Sequence, residues 1–220
     1  RVQVAAGRYT ENLLIGKDVT LVGAGADQTI IDGSTAMSPT VQFNDMIQGS
    51  IEGFYILSGN GAGVRIENSG VTVQSNIVSD VNGWGIEVVS GSQVAIISNW
   101  IVRNAWDGVT ILGGVGQGRI ANNIIASNRG DGIRVFVGRN LAITNSIIVL
   151  NSGYGVAVDA SPSPLLRDND VWYNLSGSGN GNYLGCVAGA GSLSVDPLFV
   201  DAANGDYRLK AESLCSGIIQ

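Results

Sequence analysis

Residues 96–111 read Ile96-Ile-Ser-Asn-Trp-Ile-Val-Arg-Asn-Ala-Trp-Asp-Gly-Val-Thr-Ile111, and residues 120–135 repeat the pattern as Ile120-Ala-Asn-Asn-Ile-Ile-Ala-Ser-Asn-Arg-Gly-Asp-Gly-Ile-Arg-Val135. Both copies open on isoleucine, carry asparagine three and eight positions later, and close on Asp-Gly before an alternating apolar strand. A short unit returning at a fixed period marks a solenoid, because each unit buries its apolar side only by stacking on the next.

Working outward, the leading isoleucine belongs to a column of Ile51, Val73, Ile96, Ile120, Ile143 and Leu166, at intervals of 22, 23, 24, 23 and 23 residues. Twelve positions after the first five stand Gly63, Gly85, Gly108, Gly132 and Gly155. Each glycine opens a strand in which alternation turns Val64, Ile86, Val109, Ile133 and Val156 inward, with Ile66, Val88, Ile111, Val135 and Val158 beside them. Asn76, Asn99, Asn123 and Asn169 follow the register by three. Ser146 fills that place in the remaining coil, where Asn145 comes one position early. Asn104, Asn128, Asn151 and Asn174 follow it by eight. Asparagine accommodates left-handed turns, and its amide can pair with the amide of the next coil, so an asparagine ladder is expected at these turns.

The period predicts an all-β, right-handed parallel β-helix of three sheets, with five to eight coils of about 23 residues. A single domain over 1–220 is expected, with regular coils at about 51–174 and an irregular segment, 175–220, closing the solenoid. The Gly/Ser/Asn-rich part at 176–192 reads as a surface excursion.

Composition agrees with a buried β-structure and excludes several functions. Hydrophobic residues make up 45% and charged residues 14%, with 32 glycines. A net charge of −6 argues against nucleic acid and anionic membranes. No apolar run reaches the roughly 20 residues that span a bilayer. The absence of histidine removes Ser-His-Asp chemistry and imidazole metal ligands. Starting at Arg1 without a signal peptide, the sequence reads as a mature form or a fragment. Cys186 and Cys215 leave two readings, a disulfide pinning the C-terminal segment in an oxidising compartment, or two buried thiols.

In these columns, in the opening Val2-Gln-Val-Ala-Ala-Gly-Arg-Tyr-Thr-Glu-Asn12 and in the closing Asp196-Pro-Leu-Phe199 with Gly205-Asp-Tyr-Arg-Leu209, the chain resembles the pectin-lyase-like superfamily, and within it the right-handed β-helix repeat proteins. The resemblance implies an extracellular or surface location. It implies no single activity, since the superfamily holds lyases, hydrolases, esterases, epimerases and inert surface modules. The paired-aspartate contexts of its esterase-like and polygalacturonase-like members are missing here, and an Asp-Pro-His-Asp signature is impossible without histidine. The pectate-lyase-like pattern, acidic residues holding calcium beside an Arg or Lys base, stays open.

The matching positions lie on the glycine strands. Arg65, Glu87, Thr110, Arg134 and Ala157 form one outward column, while Trp84, Asp107, Asp131 and Tyr154 directly precede their glycines. Asp107 and Asp131 are candidate calcium ligands about 5 Å apart, with Arg134 as the candidate base. The competing reading makes both aspartates turn residues screened by Arg134. Trp84, Glu87, Thr110 and Tyr154 are candidate substrate-binding residues, the aromatics offering faces on which sugars stack, and Trp100, Trp106, Trp172 and Tyr173 recur near the asparagine turns.

The functional expectation is an extracellular, non-catalytic module that binds polysaccharide or builds surface structure, with self-association through the solenoid ends. The alternative is a calcium-dependent uronate lyase acting by β-elimination.

Overall fold

The computed structural model describes residues 1–34, 37–90, 93–137, 139–159, 162–175 and 181–219. Three sheets of eight strands run the length of the molecule, each taking one strand from every coil. The first runs from Val2–Gln3 to Leu165–Arg167, the second from Gly7–Thr10 to Asp170–Trp172, and the third from Leu13–Ile15 to Tyr183–Leu184. All pairings within them are parallel, and the register column is the one counted in the sequence: Ile51 faces Val73, then Ile96, Ile120, Ile143 and Leu166. The inward β-branched side chains form one continuous core. Val and Ile suit it because their branched carbons pack on a pleated surface buried on its inner side.

Both asparagine ladders form. In the all-asparagine one Asn104, Asn128 and Asn151 each donate Nδ2–H to the Oδ1 of the next asparagine at 2.9–3.0 Å, and Asn174 donates on to Asn182 at 3.3 Å. In the other, Asn76 and Asn99 donate upward in the same way, and Ser146 carries the column between Asn123 and Asn169. The reason for asparagine is nevertheless different from the one expected. The left-handed residues are the ones just before the ladder: Ser75, Ser98, Asn122, Asn145 and Asp168 at one turn, and Arg103, Ser127, Leu150 and Tyr173 at the other. Asn145 is thus no misplaced ladder residue but the turn residue itself.

Regular stacking extends beyond 51–174 at both ends. Val2 pairs with Leu21, and Leu21 with Ile51. Periodicity hid this because the early turns differ in length while the strands keep register. Residues 183–193 are also part of the solenoid rather than a surface excursion. Tyr183 pairs with Val156, and Ala190 and Leu193 bridge to Arg167 and Asp170. Residues 176–180 of that stretch lie outside the described residues.

The last segment does not close the solenoid's end. It folds back along the outside of the second sheet, where Phe199, Tyr207, Cys215 and Ile218 cover Val102, Ile124, Ala126, Ile147 and Val149. Those outward positions are apolar, so the hydrophobic effect draws the segment onto them. An antiparallel pair, Phe199–Asp201 with Asp206–Leu209, stiffens it.

Both cysteines are free thiols in this structure, in line with the second of the two readings. Cys186 packs on the central core and its thiol donates to the Val156 carbonyl oxygen, whereas Cys215 sits in the outer cluster and donates to the Asp170 carboxylate at 3.3 Å.

Candidate functional site

The glycine strands bring the singled-out residues together on the outer side of the third sheet. Arg65, Glu87, Thr110, Arg134 and Ala157 are consecutive register partners, so the expected column exists. Trp84, Asp107, Asp131 and Tyr154 also stack, the amide of each following glycine donating to the carbonyl of the next member. Only glycine fits after them: a Cβ on Gly85, Gly108 or Gly132 would collide with backbone carbonyls and with ladder asparagines.

Glu87 and Thr110 lie on the outer side of their strands, yet they are 2% and 1% exposed. Their neighbours close over them. Arg65 pairs with Glu87 and reaches Glu67, and Thr110 donates to the Asp107 carboxylate at 2.8 Å. Burial pushes the Glu87 carboxyl above its ordinary value, against the pull of Arg65.

Asp107 and Asp131 are both tied to the next coil by backbone hydrogen bonds. One carboxylate oxygen of Asp107 accepts the amide of Asp131 at 2.7 Å, and one of Asp131 accepts the amide of Tyr154 at 2.7 Å. Each aspartate ties its coil to the next. The second Asp131 oxygen accepts from Arg134 at 3.0 Å, and Arg134 also grips Asp159 and stacks over Phe136. Burial raises Asp131 as well, followed by the repulsion of Asp107. Burial pulls Arg134 down, but Asp159 and Asp131 outweigh it and hold the guanidinium more firmly protonated than usual. Arg134 therefore bridges two carboxylates, Asp131 and Asp159. Among the described residues no three of His, Cys, Asp and Glu gather to hold a metal ion.

The aromatics divide. Trp100 meets Tyr207 of the C-terminal segment edge-on at 6.0 Å, and Trp172 joins the same outer cluster. Trp84 and Trp106 instead pack against one another on the third-sheet side, 4.4 Å apart at 80°, leaving Trp106 48% exposed. Tyr154 is half-buried at the position of Trp84 two coils on from Asp107. The face thus offers fixed aromatic edges and planes beside a row of ion-paired polar groups. Asp159 and Phe136 escape a sequence reading because they fall just past the counted strand positions, while Trp106, noted among the recurring aromatics, joins Trp84 one position before the aspartate column.

Parallel sheets, paired ladders and inward β-branched columns define a β-solenoid. The chain belongs to the right-handed β-helix family, whose model, described as "Right handed beta helix region", matches residues 40–196. Two solved structures of the catalytic domain of a GH87 α-1,3-glucanase in complex with nigerose are similar to it at 16% and 18% identity, with TM-scores of 0.47 and 0.40. In each case the match covers 86% of this chain and 40% of that one, so the chain spans well under half of the glucanase domain. The A-module of the Azotobacter vinelandii mannuronan C-5 epimerase AlgE4 is similar at 14% identity and a TM-score of 0.32, over 88% of both chains. A comparison with curated protein sequences returns no match.

Proposed function

We propose that this protein is a non-catalytic, extracellular β-helix module that binds polysaccharide on the outer face of its third sheet. The observation that carries the reading is Trp106, nearly half exposed and held edge-on against Trp84 beside the Glu87–Thr110–Arg134 column. A pyranose has one face of C–H groups that packs on an indole, while its rim of hydroxyls needs hydrogen-bonding partners close by. A tryptophan fixed by a neighbour loses little freedom on binding, which favours affinity. Arg65 and Arg134, each about a third exposed, present guanidinium edges to such hydroxyls.

The non-catalytic part rests on how the acids are used. Glu87, Asp107 and Asp131 are each bonded to a neighbouring side chain, and the two aspartates also accept backbone amides of the next coil. Hydrolysis of a glycosidic bond uses two carboxyl groups facing a shared substrate space, and Arg134 is engaged by Asp131 and Asp159 rather than left free to take a proton.

The test is titration calorimetry against a panel of soluble polysaccharides, with ultraviolet absorbance followed for unsaturated products. Binding that Trp106→Ala weakens about tenfold at unchanged melting temperature is the expected result. Binding indifferent to Trp106→Ala, or steady release of product, would overturn the reading.

A further inference from the structure

The outward column of the third sheet changes character at its two ends. From Gln42 through Arg65, Glu87, Thr110, Arg134 and Ala157 it holds no large apolar side chain, yet its first member is Leu14 and its last is Leu184. Leu14 is 73% exposed and Leu184 38%. More apolar surface surrounds each of them. At the N-terminal end a groove of about 420 Å³ is lined by Val2, Leu13, Leu14, Ile15 and Leu21 beside Lys17. Val2 there is the outermost member of the inward column that continues through Leu21 and Ile51, and it is half exposed. At the C-terminal end Val187 is exposed, while Tyr183 and Cys186 are only partly buried against the core.

Both ends also present strand edges. Among the described residues, Val2–Gln3, Gly7–Thr10 and Leu13–Ile15 each pair on one side only. Tyr183–Leu184, Ala190 and Leu193 are the last members of the three sheets at the other end. An edge of this kind offers unpaired N–H and C=O groups, and proteins usually guard it with charge or proline. Residues 181–195 contain neither a charged residue nor a proline. The segment that follows lies along the second sheet, where it covers side chains of the middle coils rather than this end.

We propose that this end is a docking surface for the N-terminal end of a second copy of the chain, the two solenoids stacking head to tail. Parallel pairing needs a partner with three strands running in the same three directions, and the first coil of another copy supplies them. Across the joint the coil rise of about 4.8 Å is kept, so Leu14 of one copy sits beside Leu184 of the other and both leave water. Charge favours this orientation. Arg1, Arg8 and Lys17 outnumber Glu11 and Asp18 at the N-terminal end, whereas Asp159, Asp168, Asp170 and Asp196 outnumber Arg167 around the other. Two C-terminal ends brought together would repel. A head-to-tail joint uses two different surfaces and leaves one of each free, so it propagates into rods instead of closing as a dimer.

The experiment is sedimentation velocity on the chain over a wide concentration range, with two variants that each block one end. Val2→Lys/Leu14→Lys blocks the head and Leu184→Lys/Val187→Lys blocks the tail, all four at partly or fully exposed positions, with melting curves to verify folding. Wild type is expected to form dimers and longer rods as concentration rises. Each variant alone should need at least about tenfold higher concentration to associate. Mixed one to one, the two variants should form heterodimers and nothing larger, because one free head and one free tail remain. A wild type that stays monomeric throughout overturns the proposal, as does association unchanged in either variant, which would place the contact elsewhere or pair like ends. A mixture that stays monomeric overturns the head-to-tail joint as well.

Discussion

Asn128 donates Nδ2–H to Oδ1 of Asn151 at 2.9 Å, and both side chains are wholly buried. Asn128 also donates to the Ile101 carbonyl oxygen, and its own Oδ1 accepts two N–H groups from Asn104. Truncation would strand several of these groups away from water. Asn128→Ala is expected to lower unfolding free energy by about 2–4 kcal/mol, read as a drop in the urea midpoint. A loss within error of zero would mean that the ladder contributes nothing net.

The residue just before it carries the turn. Ser127 has φ of 59°, a left-handed conformation that side chains resist. Ser127→Gly is expected to raise stability by about 0.5 kcal/mol, and Ser127→Val to lower it by about 1 kcal/mol or more. Thermal melts of the pair check the sign, and the opposite order would refute the turn assignment.

Acid–base behaviour should follow the buried carboxyls. Burial raises Asp170 above its ordinary value of 3.8, offset in part by the Val195 amide and the Cys215 thiol, and Asp196 adds repulsion. The folded state therefore holds this proton more tightly than the unfolded one. Its stabilising contribution is complete below the ordinary carboxylate range and is lost as pH climbs through the raised value. Asp170→Asn keeps an oxygen for the Val195 amide and removes the titration. The decline in stability from acid toward neutral pH should be shallower in this variant; an identical slope would show that Asp170 does not titrate there.

Burial pushes Cys215 up to about 12, with the Asp170 charge adding to it, and Cys186 up to about 11. Thiolate is scarce at neutral pH, so a disulfide-exchange reagent should label Cys215 only as the C-terminal segment lifts. In denaturant both thiols should react, and the mass of the protein should not change on reduction. A fast native reaction at Cys215 would contradict the docked segment.

The repeat was legible because inward positions obey one rule in every coil, so Ile51 to Leu166 could be counted without a structure. What periodicity could not show was which turn residue bears the strain, since Asn122 beside Asn123 looks like a second ladder asparagine. The outward column of the third sheet was found, but not that Glu87 would be covered, because cover comes from Arg65 one coil away in space. The return of residues 195–219 was hinted at by Ile124, Ile147 and Val149, apolar on a side where a solvated sheet would be polar.

That returning segment touches at least three consecutive coils at once, through Val102, Ile124 and Ala126, and Ile147 and Val149. A stack of units that each contact only their neighbours unzips one unit at a time from its ends. A splint laid across the C-terminal half makes those coils fail together or not at all. Fraying from the N-terminal side, where the asparagine ladders have not yet begun, should therefore halt at the splinted coils, leaving the molecule a cooperative block with a softer end.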